Sequence, residues 1–278
     1  ADKIIDKFFK KSFLYYFKDL FEKDLYVEKK ILNKKISFHI PNKITKWRVE
    51  TFYEKEPETL EWIDSFNNAK KIIFWDIGAN IGLYSIYAAL KHKNIEIISF
   101  EPSTNNLRIL SRNISINNLE EKIKINQFPL SDKTNEFASM NESEFIEGWS
   151  MGTFAYQNDF EGKHFTPKQK YKILGTSVNY LLDSKILNIP DHIKIDVDGI
   201  EHMILKGADK HLDNMNIKSI LIELNENFKD QFDSVLAIMS DKKFKIKFKK
   251  RSDAFYNDSS FDNSENKFSK IFNYIFER

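Results

Sequence analysis

Apolar and polar positions along this chain change period in a repeating order. Ile72, Ile73, Phe74 and Trp75 run unbroken in a segment that predicts a strand over 71–75, and apolar residues at three- and four-residue intervals then predict a helix over 82–91. The exchange recurs as strand 95–100, helix 104–116 with Ser103 or Thr104 as its N-cap, and strand 122–127. It resumes with a regular segment at 172–177, strand 192–197, helix 200–206, strand 217–223 and helix 229–240. Strand and helix alternating at this interval predict right-handed crossovers, a parallel sheet and an α/β fold. Two late segments, 243–249 and 270–276, alternate apolar and polar residues on either side of a polar, turn-rich stretch at 252–268. They predict an antiparallel pair at one edge of the sheet. The Lys-rich face of 243–249 suits an edge strand kept soluble by charge.

The remaining segments stand outside this rhythm. Residues 1–30 repeat apolar positions (Ile4, Ile5, Phe8, Phe9, Phe13, Tyr16, Phe17, Leu20, Phe21) at helical spacing. Acidic residues interrupt the basic opposite face. The pattern therefore suits a helix packed on the domain or on a second subunit better than one lying on a membrane surface, although peripheral contact stays open. Residues 36–53 alternate weakly and predict a hairpin turning near Pro41-Asn42; 58–66 read as a short helix. The expected organisation is an N-terminal helix-and-hairpin extension over 1–57 and a catalytic domain over 58–278. Residues 133–170, polar with scattered aromatics (Phe145, Trp149, Phe154, Tyr156, Phe160, Phe165), form an insert that covers substrate or makes a peripheral hairpin.

Composition narrows the chemistry. Lys and Arg number 43 against 41 Asp and Glu, so the formal charge of +2 gives no argument for nucleic acid. With no cysteine, disulfides, thiolate metal sites and cysteine nucleophiles are excluded. No apolar run approaches the roughly 18–20 residues of a membrane span, no secretory leader is legible, and a cytoplasmic setting is the default expectation.

The candidate chemistry sits at strand ends. The first predicted strand runs into Asp76-Ile-Gly-Ala-Asn-Ile-Gly, a Gly-x-x-x-Gly turn through Gly78, Ala79, Asn80 and Gly82. A dinucleotide site would show Gly-x-Gly-x-x-Gly, so that a pyrophosphate can approach the backbone. An acid and an amide instead suit a ligand carrying an amine and hydroxyls, such as S-adenosylmethionine. Asp76 is expected to hold its ammonium and the N-terminus of helix 82–91 its carboxylate. Glu101 ends the second strand, where an acid can accept both ribose hydroxyls, and Pro102 would press on a purine. A nicotinamide protein places an acid at the same point, which keeps an oxidoreductase as a lesser alternative. Ser131 and Asp132, after another strand, suit the adenine amine. The segment Ile193-Lys-Ile-Asp-Val-Asp-Gly-Ile-Glu-His sets Asp196, Asp198, Glu201 and His202 at a strand end and a helix start. These groups can tune a proton acceptor, or hold a divalent cation such as Mg²⁺ through Asp196 and Asp198. Asp196 is also an expected cofactor contact. Asp198 or His202 is the expected base for a hydroxyl acceptor, with Asp196 and Glu201 orienting it or binding Mg²⁺.

These segments resemble the FkbM family of S-adenosylmethionine-dependent methyltransferases. The matching residues are Asp76-Ile-Gly-Ala-Asn-Ile-Gly-Leu-Tyr, Phe100-Glu-Pro-Ser, Leu110-Ser-Arg-Asn with Asn117-Asn118, and Pro129-Leu-Ser-Asp. The stretch from Ile193 to Ala208 is the most specific, and Ser219-Ile-Leu-Ile-Glu-Leu-Asn and Phe272-Asn-Tyr-Ile-Phe-Glu-Arg resemble one branch of the family. The resemblance covers about residues 70–278. It implies a class I methyltransferase Rossmann-like fold, with a seven-stranded, mostly parallel sheet carrying one antiparallel edge strand and helices on both faces. It implies that Asp76, Gly78, Asn80, Gly82 and Glu101 line the cofactor site. It also implies O-methylation, often of sugar hydroxyls in surface polysaccharide or of natural-product intermediates. A sugar or glycan hydroxyl is the expected acceptor, and a homodimer is compatible with the chain. One departure is Asn179, where many relatives carry Asp.

Overall fold

The structure is a computed structural model and describes Phe17, Leu20, residues 25–250 and residues 270–278. Strands β1 (Tyr26–Ile31) and β2 (Lys34–His39) form a two-stranded antiparallel hairpin whose turn places Leu32 and Asn33 at φ 47 and 66. The hairpin expected over 36–53 therefore lies earlier. Asn42 explains why: its side chain accepts from the backbone N–H of Ile44 and Thr45 and starts helix α1 (Lys43–Glu50). Of the helix expected over 1–30, residues 26–30 belong to β1. Phe17 and Leu20 are helical and exposed, and the rest lies outside the described residues. Short helices α2 (Phe52–Lys55) and α3 (Pro57–Asp64) follow.

Strand β3 (Ile72–Ile77), helix α4 (Leu83–Lys91), strand β4 (Ile95–Phe100), helix α5 (Thr104–Ser115) and strand β5 (Ile123–Asn126) follow the predicted alternation. The region expected to break the rhythm contains β6 (Glu136–Glu142) and β7 (Gly152–Phe154). With β8 (Gln169–Gly175) these build a separate three-stranded antiparallel sheet, in the order β7-β6-β8. Helix α6 (Val178–Asp183), strand β9 (His192–Ile195), helix α7 (Glu201–Lys206), strand β10 (Ser219–Asn225), helix α8 (Lys229–Asp241), β11 (Lys245–Lys250) and β12 (Ile271–Glu277) complete the chain. The polar stretch at 252–268 lies outside the described residues.

The main sheet has seven strands in the order β11-β12-β10-β9-β3-β4-β5. The expected antiparallel pair stands at one edge. Its reversed member, β12, is the inner of the two, and pairs with β10 on one side and β11 on the other. Strand order reverses between β3 and β9. The chain starts in the middle of the sheet, runs outward through β4 and β5, then returns to β9 on the other side.

Alternating side chains of the buried strands feed two cores. Ile72 and Phe74 face α3, α4 and α5; Trp75 and Ile77 face α6, α7 and α8. Asn113 in α5 and Asn117 just after it also fasten the hairpin: Asn113 Oδ1 accepts from His39 N (2.8 Å) and Asn117 Oδ1 from Ser37 N (3.0 Å). No helix among the described residues is long and apolar enough to cross a membrane.

An aromatic knot joins α3 to the sheet. Trp62 Nε1 donates to Ser219 Oγ (2.8 Å), which also meets His192 Nδ1 (2.7 Å), and Phe66 stacks on His192 at 3.8 Å between centroids. Burial pushes the His192 imidazole down to about 3, so it packs as a neutral ring. Truncating Trp62 to Ala is expected to cost about 3–5 kcal/mol, read as a lower urea midpoint at unchanged slope. A loss well under 1 kcal/mol, on the order of a surface substitution, would show that this knot does not hold α3 to the sheet.

Candidate active site

A cavity of about 380 Å³ opens beyond the C-terminal ends of β3, β4 and β9, at the point where strand order reverses. Its first wall is the loop after β3. Gly78 has φ 85, and a Cβ there would come within 1.9 Å of the Asp196 carbonyl oxygen, so only glycine lets the ends of β3 and β9 meet. Gly78 and Ala79 both donate their N–H to Phe100 O at 3.0 Å.

Glu101 closes the next side. Its two carboxylate oxygens accept from Asn80 N (2.7 Å) and Ser103 N (2.9 Å), and it is 5% exposed. Burial, with the nearby Glu142 and Asp76 carboxyls, outweighs those two bonds and pushes its carboxyl up to about 8. Pro102, Phe128, Pro129 and Leu130 add an apolar slot beside it. A carboxylate fixed by backbone donors beside an apolar slot, over a glycine that admits close approach, fits a ribonucleoside carrying a charged tail.

Gly78, Asn80, Glu101, Pro102 and Asp196 are thus the expected cofactor residues that line the cavity. The others do not. Asp76 is fully buried and accepts from Ser85 Oγ (2.5 Å) under α4. It supports the loop and does not face a ligand ammonium. Ala79 is buried, and Gly82 (φ 88) sits beneath Leu110, whose Cδ1 lies 2.5 Å from where a Cβ would be. Ser131 is buried with its carbonyl against Gly207, and Asp132 is exposed, so neither reaches the slot expected to hold adenine.

The far end of the cavity holds the acidic groups. Lys194, 1% exposed in mid-strand, donates to Asp196 Oδ2 at 2.7 Å and lies over the Tyr84 ring at 5.1 Å. Burial alone would raise the Asp196 carboxyl, but the Lys194 and Lys55 ammoniums hold it down at about 2. Asp198, at φ 58, is pushed the other way: burial and the charges of Asp196 and Glu201 raise it well above the carboxylate range. Glu223, also lining the cavity, is raised well above its ordinary value by burial and by Asp196.

Two expected catalytic groups lie elsewhere. Glu201 accepts from Val197 N (3.2 Å), Gly199 N (3.2 Å) and the Gln231 amide, so it ties the Asp198 loop from behind. His202 packs edge-on to Phe228, and its buried Nδ1 has no partner. Neither lines the cavity. Of the scattered aromatics, Trp149, Phe154 and Phe160 line it, while Phe145, Tyr156 and Phe165 do not. Asn179, the departure from the family pattern, accepts from Lys210 N (3.2 Å) away from the cavity.

The metal pair expected at Asp196 and Asp198 is not the one that forms. Asp196 groups with Glu56 and Glu223, one oxygen of each lying within 4.8 Å of the others. Lys55 already holds Glu56 at 2.6 Å and Lys194 holds Asp196 at 2.7 Å. The cluster is charge-compensated from within, which does not fit a Mg²⁺ ion that would have to displace two ammoniums. Sequence reading missed Lys55, Glu56, Lys194 and Glu223. A lysine inside an otherwise apolar strand, and an acid inside Ser219-Ile-Leu-Ile-Glu, were the signals available.

A family model described as the methyltransferase FkbM domain matches residues 76–246. Methyltransferase sdnD of Sordaria araneosa is 26% identical over 216 residues, covering 70% of this chain and 82% of that protein. Methyltransferase 1 of Beauveria bassiana (strain ARSEF 2860) is 24% identical over 194 residues, covering 62% of this chain and 71% of that protein. Among solved structures, the precorrin-6y C5,15-methyltransferase of Geobacter metallireducens GS-15 is similar at a TM-score of 0.45 and 14% identity. That match covers 80% of this chain and 86% of that one.

The raised Glu101 carboxyl has a consequence for stability. Below about pH 4.5 the group is neutral folded and unfolded; from there to about pH 8 the unfolded chain releases a proton that the folded chain keeps. Glu101 therefore lowers stability as pH rises through that window. Glu101→Gln should gain on the wild type in urea midpoint between about pH 5 and pH 8.5. A difference between the two proteins that stays constant over that range would show the carboxyl to titrate normally.

Proposed function

The chain belongs to the FkbM methyltransferase family, and from that premise we propose that it methylates a hydroxyl group of a sugar in a glycan or glycan precursor. Its sheet, with β12 reversed between β10 and β11, is the class I methyltransferase arrangement. S-adenosylmethionine, when bound, supplies a methyl group already activated on a sulfonium. Positioning and removal of one proton are then what the protein has to provide.

One observation carries the proposal: a single cavity joins the Gly78–Glu101 end to the Asp196, Asp198 and Glu223 carboxyls. Glu101 and the apolar slot around Leu130 suit the nucleoside. The carboxyls suit an acceptor that is neutral and must lose a proton as it reacts. An amine that is nucleophilic once neutral needs no such base during transfer.

Asp198 is the proposed proton acceptor. Its raised affinity for a proton makes it a stronger base than an ordinary carboxylate, and its left-handed backbone, followed by Gly199 at φ 113, presents it to the cavity. Asp196 stays ionised beside Lys194 and orients the acceptor. His202 drops out as the base because its ring packs on Phe228 and does not line the cavity. Trp47, Trp149 and Phe160 offer flat apolar faces, the usual partners of a sugar ring, while Glu223 and Asn273 offer polar groups for its hydroxyls.

Asp198→Asn is expected to lower turnover by roughly 10²–10⁴-fold while S-adenosylhomocysteine binding, followed by calorimetry, stays at the wild-type level. Full turnover in that variant removes Asp198 as base. The acceptor class is tested by mass spectrometry of host glycans with the gene present and deleted. A shift of one methyl group in a glycan supports a sugar acceptor, and unchanged glycans alongside an altered small metabolite refute it.

A further inference from the structure

We infer that Arg48 binds the carboxylate of the cofactor's amino-acid tail, an assignment that rests on reading the cavity as an S-adenosylmethionine site. Arg48 lies in α1, ahead of the residues matched by the family model. The glycine loop was the expected holder of that carboxylate, through free N–H groups at the start of α4. The N–H groups of the loop itself are all engaged, and Leu83 and Tyr84, which open α4, do not line the cavity. Gly78 and Ala79 donate to Phe100 O, Asn80 to Glu101 Oε2, Ile81 to the Asn80 side chain, and Gly82 to Ala79 O. Gly82 is also packed under Leu110 and does not line the cavity. An anionic tail entering here therefore needs a cation.

Most cations near the cavity are engaged. Lys55 is paired with Glu56 and Lys194 with Asp196, while Lys43 is an exposed lysine on the rim. Arg48 is half-buried, lines the cavity, and donates Nε to Gly148 O at 2.6 Å. That bond fixes the guanidinium plane, and among the described residues its two terminal nitrogens meet no carboxylate. A fixed planar fork with two parallel N–H donors matches a carboxylate in two-point contact better than a lysine does.

The position of the fork points to the cofactor. Its anchor, Gly148, precedes Trp149, whose carbonyl accepts from Asn80 Nδ2 (3.2 Å) and Asn106 Nδ2 (3.0 Å). Gly148 N in turn donates to Asn106 Oδ1 (2.8 Å). The same segment that holds Arg48 is thus latched to the glycine loop. Arg48 also lies within electrostatic reach of Asp196, whose carbonyl abuts Gly78. An arginine reading an anionic group on the acceptor would have no need of that link to Asn80.

The test is calorimetric binding of S-adenosylhomocysteine and of its decarboxylated analogue, which keeps the nucleoside and the ammonium and lacks only the carboxylate. Wild type should prefer S-adenosylhomocysteine by roughly tenfold or more. Arg48→Ala should bind the analogue as wild type does, which also reports correct folding, and should lose the preference. Arg48→Lys should recover part of it. Retention of the full preference in Arg48→Ala overturns the assignment, and so does a defect confined to the KM of the acceptor, which would place the fork on the other substrate. If wild type binds neither compound, the cofactor reading falls and takes this assignment with it.

Discussion

The approach of two strand ends at Gly78 is the constraint on which the site depends. The backbone of β3 turns directly against the carbonyl of Asp196 at the end of β9, leaving no room for any side chain. A sheet whose order reverses at that point opens a crevice there, because the helices after β3 and β9 pack on opposite faces. The glycine turn thereby lies at the edge of the acidic end of the cavity. The approach of the glycine turn to the end of β9 is therefore set by backbone contact.

Charge at that junction is balanced by residues from separate parts of the chain. Glu56 and Lys55 arrive from the segment before β3, Lys194 and Asp196 from β9, and Glu223 from β10. The paired members are held ionised, while burial and neighbouring carboxyls raise the proton affinity of Asp198 and Glu223. Neighbouring carboxyls thus acquire opposite proton affinities under similar burial: Lys194 bonds Asp196, whereas the charges of Asp196 and Glu201 act on Asp198. The roles proposed for Asp196, orienting, and Asp198, accepting a proton, rest on this division.

The N-terminal segment and the three-stranded sheet turn this junction into an enclosed space. Asn113 and Asn117 fasten β2 to α5, and Asn113 Nδ2 also reaches Ile81 O (2.9 Å), so the hairpin and the glycine loop share one anchor. From the other side, Asn42 and Arg48 hold the backbone at Glu147 and Gly148, and Asn80 and Asn106 hold Trp149. Side-chain amides make most of these links. They give fixed direction without charge, which suits a wall that must close over a cationic ligand.

Local order was legible in the sequence. Unbroken Ile72–Trp75, the alternation through 95–127 and the Gly-x-x-x-Gly turn prescribed strands, helices and a parallel sheet, because backbone pairing and side-chain period are properties of neighbouring residues. The same reading placed Gly78, Asn80, Glu101, Asp196 and Asp198 at strand ends, where a parallel sheet gathers them. Its failures have a common cause. The hairpin was shifted because the capping strength of Asn42 outweighed a weak alternation. His202, Ser131 and Asp132 carry suitable chemistry but are turned away or buried by packing that no local pattern encodes. Lys55, Glu56, Arg48 and Glu223 enter only because chain crossovers bring segments far apart in sequence to one cavity. Residue type and spacing decided which groups could react. Folding alone decided which of them meet, since contact across the sheet depends on the path of the whole chain.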